Sequence, residues 1–191
     1  MRFLPLAFVM AAFRFSALAD DGYCPLHVGD EWTYTIAFIE PKGPVSVVPD
    51  HSRIRGTSKR SGKTYFAFEQ WGKDPAEKET TSYVRKDKKG VHTTFERAEK
   101  GAEVLWLSFP LKIGATWKYD AEMTCTVLGW ENVTIGTMTY KNCCHVVTKM
   151  ADGSFTRDEW LAPSIGLVKS EDVVAVGPKR TKTLVEFKPS K

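Results

Sequence analysis

The chain has 191 residues, 42% hydrophobic, 12% aromatic and 26% charged, a balance that excludes a disordered chain and fits a globular, β-rich one. Its formal net charge of +4 falls to +2 once Arg2 and Arg14 are set aside with the leader described next. That surplus is too small to predict nucleic-acid binding or strong adsorption to a membrane.

The first stretch reads as an address. Arg2 supplies a positive start, Phe3 to Phe13 is an apolar run, and Ala17-Leu18-Ala19 offers a small-x-small cleavage site. Residues 1–19 are therefore expected to be a secretory signal peptide, which places the protein in the periplasm or outside the cell. The run is too short for an ordinary transmembrane helix, and no later segment is apolar enough to be one. Cys24 follows Asp21-Gly22-Tyr23 rather than a small-residue lipobox, so no lipid anchor is expected. Removing residues 1–19 from 191 leaves 172, enough for one domain with its own core.

A pattern then occurs twice. Residues 25–34 read Pro-Leu-His-Val-Gly-Asp-Glu-Trp-Thr-Tyr, and residues 110–119 read Pro-Leu-Lys-Ile-Gly-Ala-Thr-Trp-Lys-Tyr. Pro25 and Pro110 cannot donate to a ladder and belong before a strand. Gly29 and Gly114 supply a turn or bulge conformation that a Cβ resists. Trp32 with Tyr34, and Trp117 with Tyr119, follow at a spacing of two, so each pair shares one strand face. The plainer reading makes these four aromatics core; the sharper one lines a ligand cavity with them.

After the first launch, Trp32 to Ile39 is a strand rich in β-branched and aromatic residues. Glu40 to Pro44 breaks it, Val45 to Val48 is a short apolar run, and Arg53 to Thr57 and Thr64 to Glu69 flank a polar tip at 59–63. Trp71 to Glu79 reads as loop. Thr80 to Arg85 and Val91 to Phe95 flank a second charged tip, and Glu96 to Glu103 is a polar connection with room for no more than a helical turn. Val104 to Phe109 leads into the second launch. Trp117, Tyr119, Ala121, Met123, Cys125 and Val127 then alternate with Lys118, Asp120, Glu122, Thr124 and Thr126, the mark of one long strand wet on one side and ended by Gly129. Glu131 to Ile135, Tyr140 to Thr148, Phe155 to Leu161, Gly166 to Ser170, Val173 to Val176 and Thr183 to Phe187 complete the strands. No sustained helical period appears. The expected fold is all-β: a single antiparallel meander curled into a barrel or half-barrel, forming one domain over 20–191 with launched segments of about 25–109 and 110–188.

Four cysteines in an exported chain invite disulfides. Cys143 and Cys144 are neighbours and, on a strand, point to opposite faces. The expected bridge joins Cys125 to one of them, which is worth about 3 kcal/mol in the chain-entropy model, and Cys24 takes the other. The alternative is a set of buried free thiols. His27, His51, His92 and His145 show no ligand spacing, so no metal site is expected. Cys144-His145 would need an activated thiol to act as a nucleophile pair. Asp158-Glu159, and Asp120 with Glu122, are carboxylate pairs better explained as charged outer faces than as catalytic acids. The basic tips Lys59-Arg60-Lys63 and Lys86-Lys88-Lys89, with Lys179-Arg180-Lys182, could form a patch for anionic headgroups or cell-wall polymers, or simply solvate turns.

The paired Pro-Leu-x-[Val/Ile]-Gly-x-x-Trp-x-Tyr launches, Lys141-Asn142-Cys143, and Glu159-Trp160-Leu161-Ala162-Pro163 through Gly166-Leu167-Val168-Lys169 together resemble a group of uncharacterised exported bacterial β-rich proteins. At fold level the curled sheet is similar to the half-barrels of LolA- and LolB-type lipoprotein carriers, which bind acyl chains on a concave apolar face. That resemblance implies a lipid or other apolar ligand, although this chain lacks the helices those carriers use as a lid. The expectation is a cell-envelope protein without catalytic residues or cofactor that holds an apolar or amphipathic molecule against Trp32, Tyr34, Trp117 and Tyr119. An envelope protein–protein or polymer interaction module is the alternative.

Overall fold

A computed structural model describes residues 20–95 and 102–191. The expected signal peptide and most of the connection 96–103 lie outside the described residues. Twelve strands follow one another: β1 Glu31–Ile39, β2 Val45–Arg60, β3 Lys63–Trp71, β4 Glu79–Asp87, β5 Gly90–Phe95, β6 Val104–Ser108, β7 Thr116–Lys118, β8 Met123–Ile135, β9 Met138–Met150, β10 Phe155–Ala162, β11 Gly166–Val174 and β12 Lys179–Lys188. They form one antiparallel sheet in the order β6-β5-β4-β3-β2-β1-β12-β11-β10-β9-β8-β7. The fold is all-β, as the sequence predicts.

The repeat builds the same local structure twice. In the first copy Gly29 N donates to Ile54 O, Asp30 N to His27 O, and Ile54 N to Asp30 O. In the second, Gly114 N donates to Val127 O, Ala115 N to Lys112 O, and Val127 N to Ala115 O. Gly29 and Gly114 take φ of +99° and +79°, the left-handed region where a side chain is strained. Each launch thus fastens its first strand to the middle of the second, at Ile54 or Val127, both fully buried. The first copy adds a lock: buried Asp30 accepts from His27 N at 3.2 Å and Ser190 N at 2.8 Å, which ties the C-terminus to the launch.

Each launch is followed by six strands, β1–β6 and β7–β12. Where the second set meets the first, β12 pairs with β1 over the whole length of β1. The equivalent junction, β6 against β7, carries no ladder, so the barrel is nearly closed with one seam. The seam lies mid-sequence because the first and last strands pair, which leaves β6 and the three-residue β7 as the two edges of the sheet. Asp120 Oδ1 accepts from Glu122 N and Met123 N, which folds the chain into a tight turn after Lys118. The single long strand expected over 117–127 is therefore a hairpin, with Trp117 opposite Cys125. Gly129 does not end it either; β8 runs on to Ile135 through a register shift between Val127 and Gly129.

Two shorter expectations also change. Val45–Val48 and Arg53–Thr57 belong to one strand that passes straight through Pro49. Proline is tolerated there because β3 pairs with β2 only from His51 onward, leaving the Pro49 edge on that side without a partner strand. The loop after Trp71 contains a short 3-10 turn, Pro75–Glu77, capped by Asp74.

The expected Cys125 bridge is not formed. All four cysteines are buried and none is in a disulfide. Cys125 lies opposite Thr148, and Cys144 opposite Trp130. Four residues of strand separate Thr148 from Cys144, about 13 Å, against a Cα separation below about 7 Å for a disulfide. Cys143 is one residue farther. Nor do Cys143 and Cys144 point to opposite faces: both enter the same core cluster, beside the register shift between Glu131 and Val133.

Candidate functional site

Alternation decides what enters the barrel. Trp32, Tyr34 and Ile36 on β1 are buried, as are Ser52 and Ile54 on β2, Val168, Ser170 and Asp172 on β11, and Leu184 on β12. One rim is closed by the N-terminal segment. Tyr23, Cys24 and Leu26 are buried there, Tyr23 Oη donates to Asn142 O at 3.1 Å, and Ser164 N donates to Gly22 O at 2.7 Å. The opposite rim is made of hairpin tips that expose Ile39, Val45, Val47 and Val176.

Between the rims the interior is not filled. It holds a cavity of about 370 Å³. Its walls are aromatic and aliphatic: Trp32, Tyr34, Phe68, Trp106, Tyr119, Phe155 and Leu167. Ser52, Gln70, Ser82 and Thr93 add hydroxyl and amide groups on the β2–β5 side. Arg157, Glu159 and Lys182 add charge on the β10–β12 side.

Three of the four aromatics expected from the repeat line this cavity: Trp32, Tyr34 and Tyr119. Two of them are fixed by side-chain hydrogen bonds to backbone carbonyls. Trp32 Nε1 donates to Ile165 O at 2.7 Å, and its ring stacks on Phe68 and Phe187 at 5.9 and 5.3 Å. Tyr34 Oη donates to Leu167 O at 3.0 Å. Burial pushes the Tyr34 phenol far above its usual range, so it stays a neutral donor. Trp117 does something else. It packs in the core, and its Nε1 donates to Leu105 O at 2.9 Å, bridging β7 to β6 across the seam. It is a staple rather than a lining residue.

The charged side of the cavity was not foreseen. Arg157 grips Asp172 with two bonds, Nε to Oδ1 at 2.7 Å and an Nη to Oδ2 at 2.9 Å, and Arg180 reaches the same carboxylate at 3.3 Å. That pairing holds Arg157 above its usual pKa despite burial. Lys182 Nζ lies 2.6 Å from Asp50 Oδ2 and 4.1 Å from the centre of the Tyr34 ring. Burial lowers the Lys182 pKa and Asp50 opposes the shift. Glu159 is buried and, among the described residues, accepts one bond, from Trp106 Nε1 at 3.3 Å. Burial raises its carboxyl pKa, with Arg157 opposing.

The paired acids separate as strand neighbours must. Glu159 faces in, while Asp158 faces out and holds His145 Nε2 at 2.8 Å. His145 also meets Glu131 Oε1 at 3.1 Å and stacks on Trp160 at 4.4 Å, while Cys144 packs in the core. Burial pushes the Cys24 thiol up to about 12 and the Cys125 and Cys143 thiols up to about 11, so none of these three is an activated nucleophile. The tips around Lys59–Lys63 and Lys86–Lys89 sit on the plugged rim, whereas Lys179 begins β12 at the opposite one. The three basic clusters do not join. A signal for the charged wall was present in Arg157, Glu159 and Leu161, alternate residues of one strand. Only the curl of the sheet shows which face they share with Lys182.

The sequence matches no family model and resembles no curated protein closely enough to be a relative. Among solved structures the chain is similar to a Bacteroides fragilis protein described as exported and of YmcC-like fold, at 13% identity and a TM-score of 0.53, covering 86% of this chain and 98% of that one. Weaker likenesses are to a Parabacteroides distasonis protein described as a lipoprotein (10% identity, 87% and 98% covered, TM-score 0.42) and to the LolA superfamily protein NE2245 from Nitrosomonas europaea (9% identity, 91% and 90% covered, TM-score 0.41). At such identities the first of these likenesses speaks for the fold alone: a curled antiparallel sheet of the YmcC-like kind.

Proposed function

We propose that this is an exported cell-envelope protein that holds one apolar or amphipathic molecule inside its barrel, without chemistry on it. The observation that carries this reading is the hollow interior. A β-barrel of ordinary packing fills its core with side chains, yet here about 370 Å³ stays open beneath rings held by backbone hydrogen bonds. Small-molecule pockets span about 300–1,000 Å³, so the space suits a single chain or a small ring system rather than a lipid with several long chains. The leader at 1–19 and the exported description of the Bacteroides fragilis relative in fold support the envelope location.

Binding of N-phenyl-1-naphthylamine, an uncharged probe that fluoresces in apolar surroundings, tests the reading. Saturable uptake near one probe per protein, with energy transfer from Trp32 and Trp106, is the expected result. A protein stripped of bound molecules that takes up no probe would overturn it.

A second reading rests on the seam. The facing edges of β6 and β7 leave ladder positions without a partner strand, the feature used when an extended peptide adds to a sheet. An envelope protein bound there would make this chain an interaction module, and a stoichiometric protein partner in cross-linking from intact envelopes would favour it.

A further inference from the structure

The cavity is charged on one side only, and the charges there are unevenly matched. Arg157 is held by Asp172 through two hydrogen bonds. Lys182 lies against Asp50 and over the Tyr34 ring. The third cavity-lining charged residue, Glu159, has no ion-pair partner among the described residues. Its Oε2 accepts from Trp106 Nε1 at 3.3 Å, and its Oε1 accepts nothing among the described residues. Glu159 is 7% exposed and its side chain lines the cavity, so the donor for Oε1 is left to whatever occupies that space.

A carboxylate in a largely apolar interior loses hydration, and a hydrogen-bond donor placed against it restores part of that loss. Here the oxygen belongs to a side chain that lines the open space. Counting the charged groups on and behind this wall, Asp50, Asp172 and Glu159 face Lys182, Arg157 and Arg180, three carboxyls to three cations, but all three cations engage Asp50 or Asp172. Arg180, one-third exposed, already shares Asp172 from the rim. An incoming carboxylate or phosphate would meet cations that are already engaged and a carboxyl that repels it. An incoming hydroxyl or ammonium would meet an acceptor.

We infer that the ligand carries a hydrogen-bond-donating head, a hydroxyl or an amine, on its apolar body, and that Glu159 receives this head. The inference rests on the proposed ligand-holding function. It narrows the class from amphipaths in general to alcohols and amines, and sets aside free fatty acids and acidic headgroups. The upward push that burial gives the Glu159 carboxyl fits a group whose charged form lacks its partner until the ligand arrives. The aromatic faces of Trp32 and Phe155 would take the apolar body.

Three probes of one chain length separate the outcomes: dodecylamine, dodecanol and dodecanoate, each below its micelle concentration, competing with bound N-phenyl-1-naphthylamine. Dodecylamine and dodecanol are expected to compete about tenfold or more better than dodecanoate, the scale of a charge-assisted hydrogen bond. In Glu159→Gln the advantage of dodecylamine and dodecanol over dodecanoate is expected to shrink toward parity. Equal competition by all three, or tighter binding of dodecanoate, would overturn the inference and leave the ligand-holding function standing. Failure of the probe to bind at all would bring down both.

Discussion

Ser52→Leu separates a true cavity from a loosely drawn core. Ser52 lies on β2 between Trp32 of β1 and Gln70 of β3, is 6% exposed, and lines the open space. Leucine there replaces one hydroxyl by three carbon groups. Each buried CH₂ contributes about 0.8 kcal/mol, so filling empty space would stabilise the protein by up to about 2 kcal/mol. For a chain of this length that raises Tm by about 2–4 °C per kcal/mol. In a close-packed core the same enlargement would instead cost about 1–3 kcal/mol. Urea unfolding of stripped protein measures the difference as a shift in midpoint at constant slope. The expected outcome joins a higher midpoint to weaker uptake of N-phenyl-1-naphthylamine. A lower midpoint would refute the claim that the space beside Ser52 is open.

Trp117→Phe keeps a ring but removes the hydrogen bond to Leu105 O, at a cost of about 1 kcal/mol. Hydrogen exchange should quicken at β6 and β7 and stay unchanged where β1 meets β12; uniform change along the sheet would contradict a staple at the seam. Glu159 has its pKa raised in the folded state by burial, so its contribution to stability is complete below the ordinary glutamate value and is lost as pH rises through the folded one. Stripped Glu159→Gln should therefore match the parent near about pH 4 and exceed it in stability at about pH 8; equal stability at both would show that the carboxyl is not strained by burial. Alkylation of unfolded, unreduced protein should modify all four cysteines, whereas in folded protein at about pH 8 Cys24, Cys125 and Cys143 should react slowly, since thiols titrating near 11 or 12 are scarcely ionised there. A Cys125–Cys144 crosslink in the mass map would contradict the register of β8 and β9.

What the sequence displayed was local. The doubled Pro-Leu-x-[Val/Ile]-Gly pattern is readable because each copy needs its own glycine at positive φ and its own proline ahead of a strand, and both needs are met within ten residues. What it concealed depends on contacts far along the chain. The alternation from Trp117 to Val127 looks unbroken because hairpin partners such as Trp117 and Cys125 face the same way as alternate residues of one strand would. Only the side-chain bonds of Asp120 reveal the turn. Trp32 and Trp117 occupy the same place in the repeat, yet one lines the cavity and the other holds the seam, because β1 has a full-length neighbour in β12 and β7 has none in β6. Glu159 reads as half of an outer acidic pair; its inward direction follows from the buried Val146 opposite it, 13 residues earlier.

The central claim is that the interior exists to be occupied. Native mass spectrometry of the mature protein purified from its own envelope, set beside a denatured control, tests it most directly. The account predicts one added mass of small-molecule size that disappears on denaturation and belongs to an apolar alcohol or amine. A bare mass, unchanged after incubation with envelope lipid extract, would contradict it and leave the exposed edges of β6 and β7 as the part of the molecule to explain.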